Sequence, residues 1–150
     1  MIKAVTYFNF ENSLEALEYY KNNFNAEVVT RTMGNDPIFR DMPDEYKMPE
    51  EVAKKFVMNA EFNILGKTFM VSDTLGNEPI NNEGVNVCFT FDGDNDVERE
   101  RITEFFYKAI ERGCEEVIPL DKTEWTDLYG MFKDPFGITW MVSAVYEEIQ

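Results

Sequence analysis

Two short stretches of the chain repeat one another and decide the fold. Residues 136–143 read Phe-Gly-Ile-Thr-Trp-Met-Val-Ser, and residues 65–72 read Leu-Gly-Lys-Thr-Phe-Met-Val-Ser. The two stretches share Gly, Thr, Met, Val and Ser in the same order and spacing. Repetition of this kind is typical of a supersecondary unit that needs its copy to bury an apolar face. The sequence therefore predicts a fold made of two related halves.

The first half is predicted to contain one helix and four strands. Asn12, with Glu15 three positions on, is a capping pattern, and the apolar stripe behind it predicts a helix over about 13–24. The segment 34–54 carries three prolines and no sustained period, which predicts a long flap-like loop. Alternation and Val/Thr content predict strands over residues 2–8, 26–33, 56–63 and 67–73. The third of these strands is predicted to place Phe56, Met58, Ala60 and Phe62 on the face opposite Val57, Asn59 and Glu61.

The second half repeats this order without the long loop. Asn95 caps a predicted helix that ends at Gly113, and residues 134–137, Asp-Pro-Phe-Gly, predict a tight turn. Strands are predicted over residues 85–91, 116–120, 125–133 and 138–146. Phe69 and Trp140 share the parity of the helix-covered face, so both are predicted to be core residues.

The predicted architecture is α+β, with two tandem βαβββ modules forming a curved mixed sheet around a cleft. The modules cover about 1–74 and 84–147 of a single domain, 1–150, and residues 75–84 have the composition of a linker. A homodimer is expected, and the exposed edge strands allow the two modules either to pair within one chain or to exchange with a partner chain.

The composition of the 150-residue chain excludes several classes of function. The net charge of −15 repels nucleic acid and anionic membrane surfaces. Since the chain has no histidine, a Ser-His-Asp triad, a Cys-His pair and a His-ligated zinc site are all excluded. No apolar run could span a bilayer and no signal peptide is recognisable, so a cytoplasmic protein is expected. Cys88 and Cys114 are predicted to be buried free thiols.

Several motifs, taken together, resemble one protein family over the whole chain. These motifs are Ala-Leu-Glu-Tyr-Tyr at 16–20, Phe-Asn-Ala-Glu at 24–27, Met-Val-Ser-Asp at 70–73, Trp125 with Tyr129-Gly130, and 134–140. With them the chain resembles the PhnB-like branch of the vicinal oxygen chelate superfamily, which includes glyoxalases, bleomycin and fosfomycin resistance proteins and extradiol dioxygenases. The resemblance implies paired βαβββ modules. Some PhnB-like proteins have been labelled demethylubiquinone methyltransferases, but no Gly-rich turn follows a strand here, so methyl transfer is not predicted.

The resemblance also implies a divalent metal, which the residues of this chain do not support. In that superfamily the ligands are His, Glu or Gln side chains, two from each half. By the resemblance, the four slots fall near Val5, at Met70, at Asn86 or Cys88, and at Met141. Positions where relatives commonly carry histidine are occupied by Asn59, Asp127 and Ile138. Val and Met offer neither charge nor oxygen to a hard ion, so no metal site and no cofactor are predicted.

The main functional hypothesis is a protein that binds a small apolar or cationic molecule. The acidic charge favours a cation, and an aromatic, methionine-containing pocket suits an organic one. The predicted pocket residues are Val5, Tyr7, Asn59, Glu61, Met70, Asn86, Cys88, Trp125, Tyr129 and Met141. The alternative is that Trp125 and Tyr129 simply pack between the halves.

Other functions stay open at this point. Glu61 and Asp127 are candidate catalytic groups for a metal-dependent lyase, isomerase or dioxygenase with relocated carboxylate ligands, although both could be solvated rim residues. Met70, Met141 and Cys88 could hold a soft ion such as Cu(I) or could be apolar lining. A structural or regulatory domain without pocket chemistry is a third possibility. The stretch 92–96 departs from a calcium-binding EF-hand loop and instead predicts a turn before a helix.

Overall fold

The repeated stretch runs into the last strand of each of two structural units. The computed structural model describes residues 1–76 and 79–146. The units are Met1–Ile80 and Asn81–Gln150, and the boundary between them falls within the predicted linker. Two linker residues and residue 147, the end of the predicted second module, lie outside the described residues.

The first unit is a four-stranded mixed sheet with a helix after its first strand. The order in the sheet is β1-β4-β3-β2, with β1 parallel to β4 and the other pairs antiparallel. Its elements are β1 (Thr6–Phe10), α1 (Ser13–Asn23), β2 (Glu27–Met33), a short α2 (Glu50–Ala53), β3 (Val57–Ile64) and β4 (Lys67–Asp73).

The second unit repeats this arrangement without a counterpart of α2. Its sheet order is β5-β8-β7-β6, and β5 is parallel to β8. Its elements are β5 (Asn86–Asp92), α3 (Asp96–Glu111), β6 (Glu115–Asp121), β7 (Tyr129–Lys133) and β8 (Thr139–Val145). The α+β class and the two βαβββ modules are therefore confirmed. No helix among the described residues is long and apolar enough to cross a membrane.

Both predicted helix caps are confirmed. The Asn12 side chain accepts a hydrogen bond from the Glu15 backbone at 3.1 Å. The Asn95 side chain accepts from the backbone of Val97 and Glu98. These bonds satisfy amide groups that have no partner in the first turn of a helix, so each helix begins where the sequence predicts.

Aromatic side chains fill the space between each helix and its sheet. In the first unit Tyr20 of α1 stacks on Phe62 of β3, with ring centroids 5.9 Å apart. In the second, Phe106 of α3 meets Phe132 edge-on at 5.5 Å. Trp140 is fully buried and Phe69 nearly so, which confirms both as core residues.

The predicted Asp-Pro-Phe-Gly turn is organised by a buried carboxylate. Asp134 accepts hydrogen bonds from the Phe136 and Ile138 amides and, at 2.8 Å, from the Trp140 indole. Gly137 adopts a φ of 87°, a conformation that glycine enters without steric cost. The turn thereby fixes the entry of β8, which carries the repeated stretch.

Two predicted strand boundaries are wrong. β1 begins at Thr6 instead of Ile2, because β4 is its neighbour among the described strands and the paired register begins at Thr6 with Phe69. β7 begins at Tyr129, so Trp125 lies outside it. The Thr123 backbone amide donates to the Thr126 carbonyl at 2.8 Å, which closes a turn around Trp125.

The predicted alternation along β3 is also wrong at its start. Val57 is fully buried with Ala60 and Phe62, whereas Met58 is half-buried. The pairing with β2 shifts between Thr32 and Met33, which are opposite Asn59 and Val57. Such a bulge changes the face to which the following side chains point. The predicted flap is a loop interrupted by short 3₁₀ turns, Pro37–Phe39 and Asp44–Tyr46, and by α2.

One buried carboxylate that the sequence analysis missed joins three elements of the first unit. Asp73, at the end of β4, accepts hydrogen bonds from the Ser13 amide at 2.7 Å and the Val57 amide at 2.8 Å. Asp73 is only 9% exposed. The start of α1 and the start of β3 are therefore held to the same residue.

We expect Asp73→Ala to destabilise the chain by about 2–5 kcal/mol, since each buried amide left without a partner costs about 1–3 kcal/mol. Urea unfolding monitored by circular dichroism measures the change. Asp73→Asn keeps one acceptor and should have an intermediate effect. The control is Asp41→Ala, which removes an exposed carboxylate near Arg40. Equal effects of Asp73→Ala and Asp41→Ala would contradict the role of Asp73.

Candidate functional site

In each unit the helix covers one face of the sheet, and the other face carries most of the predicted pocket residues. We call this second surface the helix-free face. In the first unit its residues alternate along the strands with the buried residues Phe8, Phe62 and Phe69 of the opposite face. It consists of Tyr7, Asn9, Asn59, Glu61, Asn63, Met70 and Ser72.

Three predicted residues form one row across the helix-free face of the first unit. Met70 of β4 is paired with Tyr7 of β1 on one side and with Glu61 of β3 on the other. Paired residues on neighbouring strands point to the same face. Adjacent strands are about 4.8 Å apart, so the outer two residues of the row are separated by about 10 Å. We call this set the Tyr7–Met70–Glu61 row.

The two ends of this row differ in their contacts. The Asn59 amide donates a hydrogen bond to the Tyr7 hydroxyl at 3.2 Å, and Tyr7 remains 47% exposed. Glu61 is half-buried. Within residues 1–76 and 79–146, neither a hydrogen-bond donor nor a cation lies within bonding distance of its carboxylate. The row therefore joins a tethered aromatic ring, a thioether and an uncompensated negative charge.

The remaining predicted residue of the first unit, Val5, lies just before β1 and is 39% exposed. Its position in the chain gives it the parity of Tyr7, but the register pairs Met70 with Tyr7. Polar residues that the sequence analysis missed continue the face: the Asn9 amide donates to the Ser72 hydroxyl at 3.0 Å. Their signal in the sequence is the strand parity that they share with Tyr7 and Met70.

A row of sulfur-containing side chains crosses the helix-free face of the second unit. Met141 of β8 is paired with Cys88 of β5 and with Met131 of β7. We call these three residues the sulfur row. Cys88 is exposed, so its predicted burial is wrong, whereas Cys114 is buried as predicted. Met131, which the sequence analysis missed, and Met141 are half-buried.

Aromatic residues stand beside the sulfur row. Tyr129 is 7% exposed and meets the 71% exposed Trp125 edge-on, with ring centroids 5.5 Å apart. Burial raises the pKa of Tyr129, and the negative charge of a Cys88 thiolate raises it further. Desolvation likewise raises the pKa of the Cys88 thiol. Tyr129 and Cys88 are therefore electrostatic neighbours, and both are neutral near neutral pH. Asn86 lies on the same strand face, in register with Thr139.

The second predicted carboxylate, Asp127, is engaged by partners of its own unit. Tyr146 donates a hydrogen bond to Asp127, and the Arg99 guanidinium lies 3.2 Å from its Oδ2 atom. Arg99 also donates to the Gly93 carbonyl at 3.2 Å. The hydrogen bond from Tyr146 and the charge of Arg99 hold the pKa of Asp127 below its usual range. Asp127 is therefore better suited to holding Tyr146 and Arg99 in place than to acting as a general base.

The residues in the four metal slots do not fit the hard divalent ion that the fold family implies. Val5 and Met70 supply no oxygen ligand in the first unit, and Cys88 and Met141 supply only sulfur in the second. The Asn86 amide is the one oxygen donor in these slots. In the described part of the chain, no three His, Cys, Asp or Glu side chains lie close enough together to hold an ion.

The stretch 92–96 forms the predicted turn and helix cap. The Asp92 side chain accepts from the Asp94 amide at 2.9 Å, and Glu98 accepts from the Asp92 amide at 2.8 Å. The carboxylates at this turn therefore satisfy backbone amides at the start of α3, as expected from the sequence.

A groove that the sequence analysis missed lies beside α1 in the first unit. Its volume is about 760 Å³. One wall belongs to α1 and the other to the segment that includes α2, which has no counterpart in the second unit. Its lining includes Glu18 and, on the opposite wall, Val52 and Phe56.

We expect Tyr146→Phe to lower the melting temperature at neutral pH, because Asp127 loses the hydrogen bond that the Tyr146 hydroxyl donates. The folded pKa of Asp127 is depressed, so its contribution is present above the unfolded value of about 3.9 and is lost as the pH falls through the folded pKa. The difference between the parent chain and Tyr146→Phe should therefore shrink in that acidic range. Tyr107→Phe, at an exposed tyrosine of α3, is the control. A pH-independent difference in melting temperature would contradict a stabilising hydrogen bond from Tyr146 to ionised Asp127.

A model of the Glyoxalase/Bleomycin resistance protein/Dioxygenase superfamily matches residues 11–142 of the chain. No curated protein sequence matches it.

Several solved structures share the fold. Protein PA1353 from Pseudomonas aeruginosa is 26% identical, with a TM-score of 0.69, and the match covers 98% of this chain and 100% of that one. A PhnB protein from Bacillus cereus is 21% identical, with a TM-score of 0.65 and coverage of 96% and 100%. The fosfomycin resistance protein FosX from Listeria monocytogenes is 12% identical, with a TM-score of 0.62 and coverage of 95% and 94%.

Proposed function

This chain belongs to the Glyoxalase/Bleomycin resistance protein/Dioxygenase superfamily, and from that premise we propose that it is a binding protein for a small organic cation. The ligand carries an apolar part beside its positive charge and contacts the helix-free face of the first unit. The observation that carries this proposal is the Tyr7–Met70–Glu61 row, whose carboxylate has no partner in the described part of the chain.

Each member of the row supplies a different attraction to such a ligand. The face of a tyrosine ring attracts an organic cation by about 0.5–1 kcal/mol at an exposed site. The Met70 thioether is polarizable and adapts to irregular apolar groups. Glu61 supplies a full negative charge next to Met70, on the side opposite Tyr7. A cation above Met70 would therefore lie between an aromatic ring and a carboxylate.

The rest of the chain strengthens this preference. Its net charge of −15 raises the local concentration of cations around the molecule. The Asn59 amide holds the Tyr7 hydroxyl, which restricts the ring before a ligand arrives. Less conformational freedom is then lost on binding. A homodimer and a cytoplasmic location remain predictions.

We expect Glu61→Gln to weaken binding of benzyltrimethylammonium, used as a probe, by about fivefold to tenfold, because a partly exposed charge pair contributes about 1 kcal/mol. The dissociation constant is measured by NMR titration at low salt. Melting of the variant should be unchanged, since the Glu61 carboxylate bonds to no described residue.

Two matched variants locate the effect. Glu45→Gln removes the same charge from an exposed residue in a 3₁₀ turn and should leave binding nearly unchanged. Glu18→Gln removes the same charge from the groove beside α1 and shows whether the probe binds there. If all three variants weaken binding alike, attraction is only by net charge. If Glu18→Gln alone weakens it, the groove is the site and the proposal for the row is wrong.

A metal-dependent lyase, isomerase or dioxygenase is the competing function. It would require a tightly bound ion held by relocated carboxylates such as Glu61 and Asp127. We expect elemental analysis of protein purified without chelator to find no stoichiometric zinc, manganese or iron. We also expect the same melting temperature before and after treatment with EDTA. About one such ion per chain, lost with a fall in melting temperature, would establish linkage to folding and favour the enzyme.

A further inference from the structure

We propose that the sulfur row of the second unit, Cys88, Met141 and Met131, binds one Cu(I) ion. The three residues lie on three neighbouring strands, and their register places them side by side on the helix-free face. Cys88 is a free, exposed thiol. The site is separate in sequence and in chemistry from the Tyr7–Met70–Glu61 row.

The spacing of the strands suits one ion above Met141. Its neighbours on β5 and β7 are each about 4.8 Å away along the sheet. Methionine has three rotatable bonds in its side chain, so Met131 can lean toward the centre of the row. A metal–sulfur bond of about 2.3 Å adds to the reach of each side chain, including the shorter Cys88.

The ligand set selects a soft ion. Thiolate and thioether sulfur favour Cu(I), whereas Mg²⁺, Ca²⁺ and Mn²⁺ favour oxygen ligands. Binding replaces the S–H proton of Cys88 with a Cu–S bond and releases that proton to solvent. The thiolate and the cuprous ion then neutralise each other, and no electron is transferred. Two neutral thioethers complete a three-coordinate site.

The surroundings of the row fit this chemistry. Tyr129 is 7% exposed and lies on β7 two positions before Met131, on the same strand face. Trp125 lies edge-on against Tyr129, so one side of the site is aromatic.

The internal repeat provides a comparison within the same chain. Met70 of the first unit occupies the place of Met141, but its neighbours in register are Tyr7 and Glu61. That row has one sulfur atom, so Cu(I) should not bind there. The second unit has sulfur on all three strands, and only there does the row match a soft ion.

The test is competition for Cu(I) against bicinchoninic acid under anaerobic, reducing conditions. The full chain should withdraw about one equivalent of Cu(I) from the coloured complex. Loss of even an outer partner of a metal site reduces affinity by about 10–100-fold, so Cys88→Ser should weaken binding by at least about 100-fold. Met131→Leu and Met141→Leu, which preserve side-chain volume, should each weaken it by about tenfold.

Controls separate a three-ligand site from a lone thiol. Cys114→Ser removes the buried thiol and Met42→Leu removes a methionine of the long loop; both should bind as the parent does. If Cys88→Ser weakens binding but neither Met variant does, the ion binds a single thiol and the proposal is wrong. Failure of the parent chain to compete also overturns it.

Methionine methyl NMR of the parent chain gives a second readout that does not depend on folding of the variants. Cu(I) should shift the Met131 and Met141 methyl resonances and leave Met70 unchanged. A shift of Met70 instead would assign the ion to the first unit. Glu61→Gln should bind Cu(I) normally, so this result is independent of whether the organic cation binds.

Discussion

The parallel pairing of the first and last strands of each unit is the constraint on which the rest of the structure depends. Parallel neighbours cannot be joined by a tight turn, so the chain must cross over before it returns. In each unit the crossover contains the helix, which then covers one face of the sheet. The last strand consequently lies inside the sheet, between the first and third. Residues from these three strands therefore meet on the helix-free face.

The internal repeat preserves this frame while the two faces differ in chemistry. Both last strands carry Met and Ser at matching places. The first and third strands, however, supply Tyr7 and Glu61 in one unit and Cys88 and Met131 in the other. One backbone arrangement thus presents an aromatic and anionic surface once and a sulfur surface once. Under the two proposals, cation binding belongs to the first module and Cu(I) binding to the second, without any change of fold.

Local patterns predicted the modules, both helix caps and the Asp-Pro-Phe-Gly turn, because these depend on neighbours in the sequence. Features that depend on a partner strand could not be predicted. The bulge opposite Val57 reverses the predicted parity at the start of β3, and β1 begins where its pairing with β4 begins. Met131 was missed for the same reason, since only the register places it beside Met141. Likewise, the role of Asp73 requires two amides from distant parts of the first unit.

Glu61 and Asp127 are indistinguishable in the sequence as candidate carboxylates, yet their surroundings give them different capacities. Tyr146 and Arg99 stabilise the ionised form of Asp127, so its charge is already used within the second unit. Glu61 has no such partner among the described residues and lies beside Met70 on a half-buried surface. An uncompensated carboxylate that is partly removed from water interacts more strongly with an arriving cation than a fully solvated one does. The large negative charge of the chain therefore attracts cations generally, while under the proposed function Glu61 determines where one of them is held.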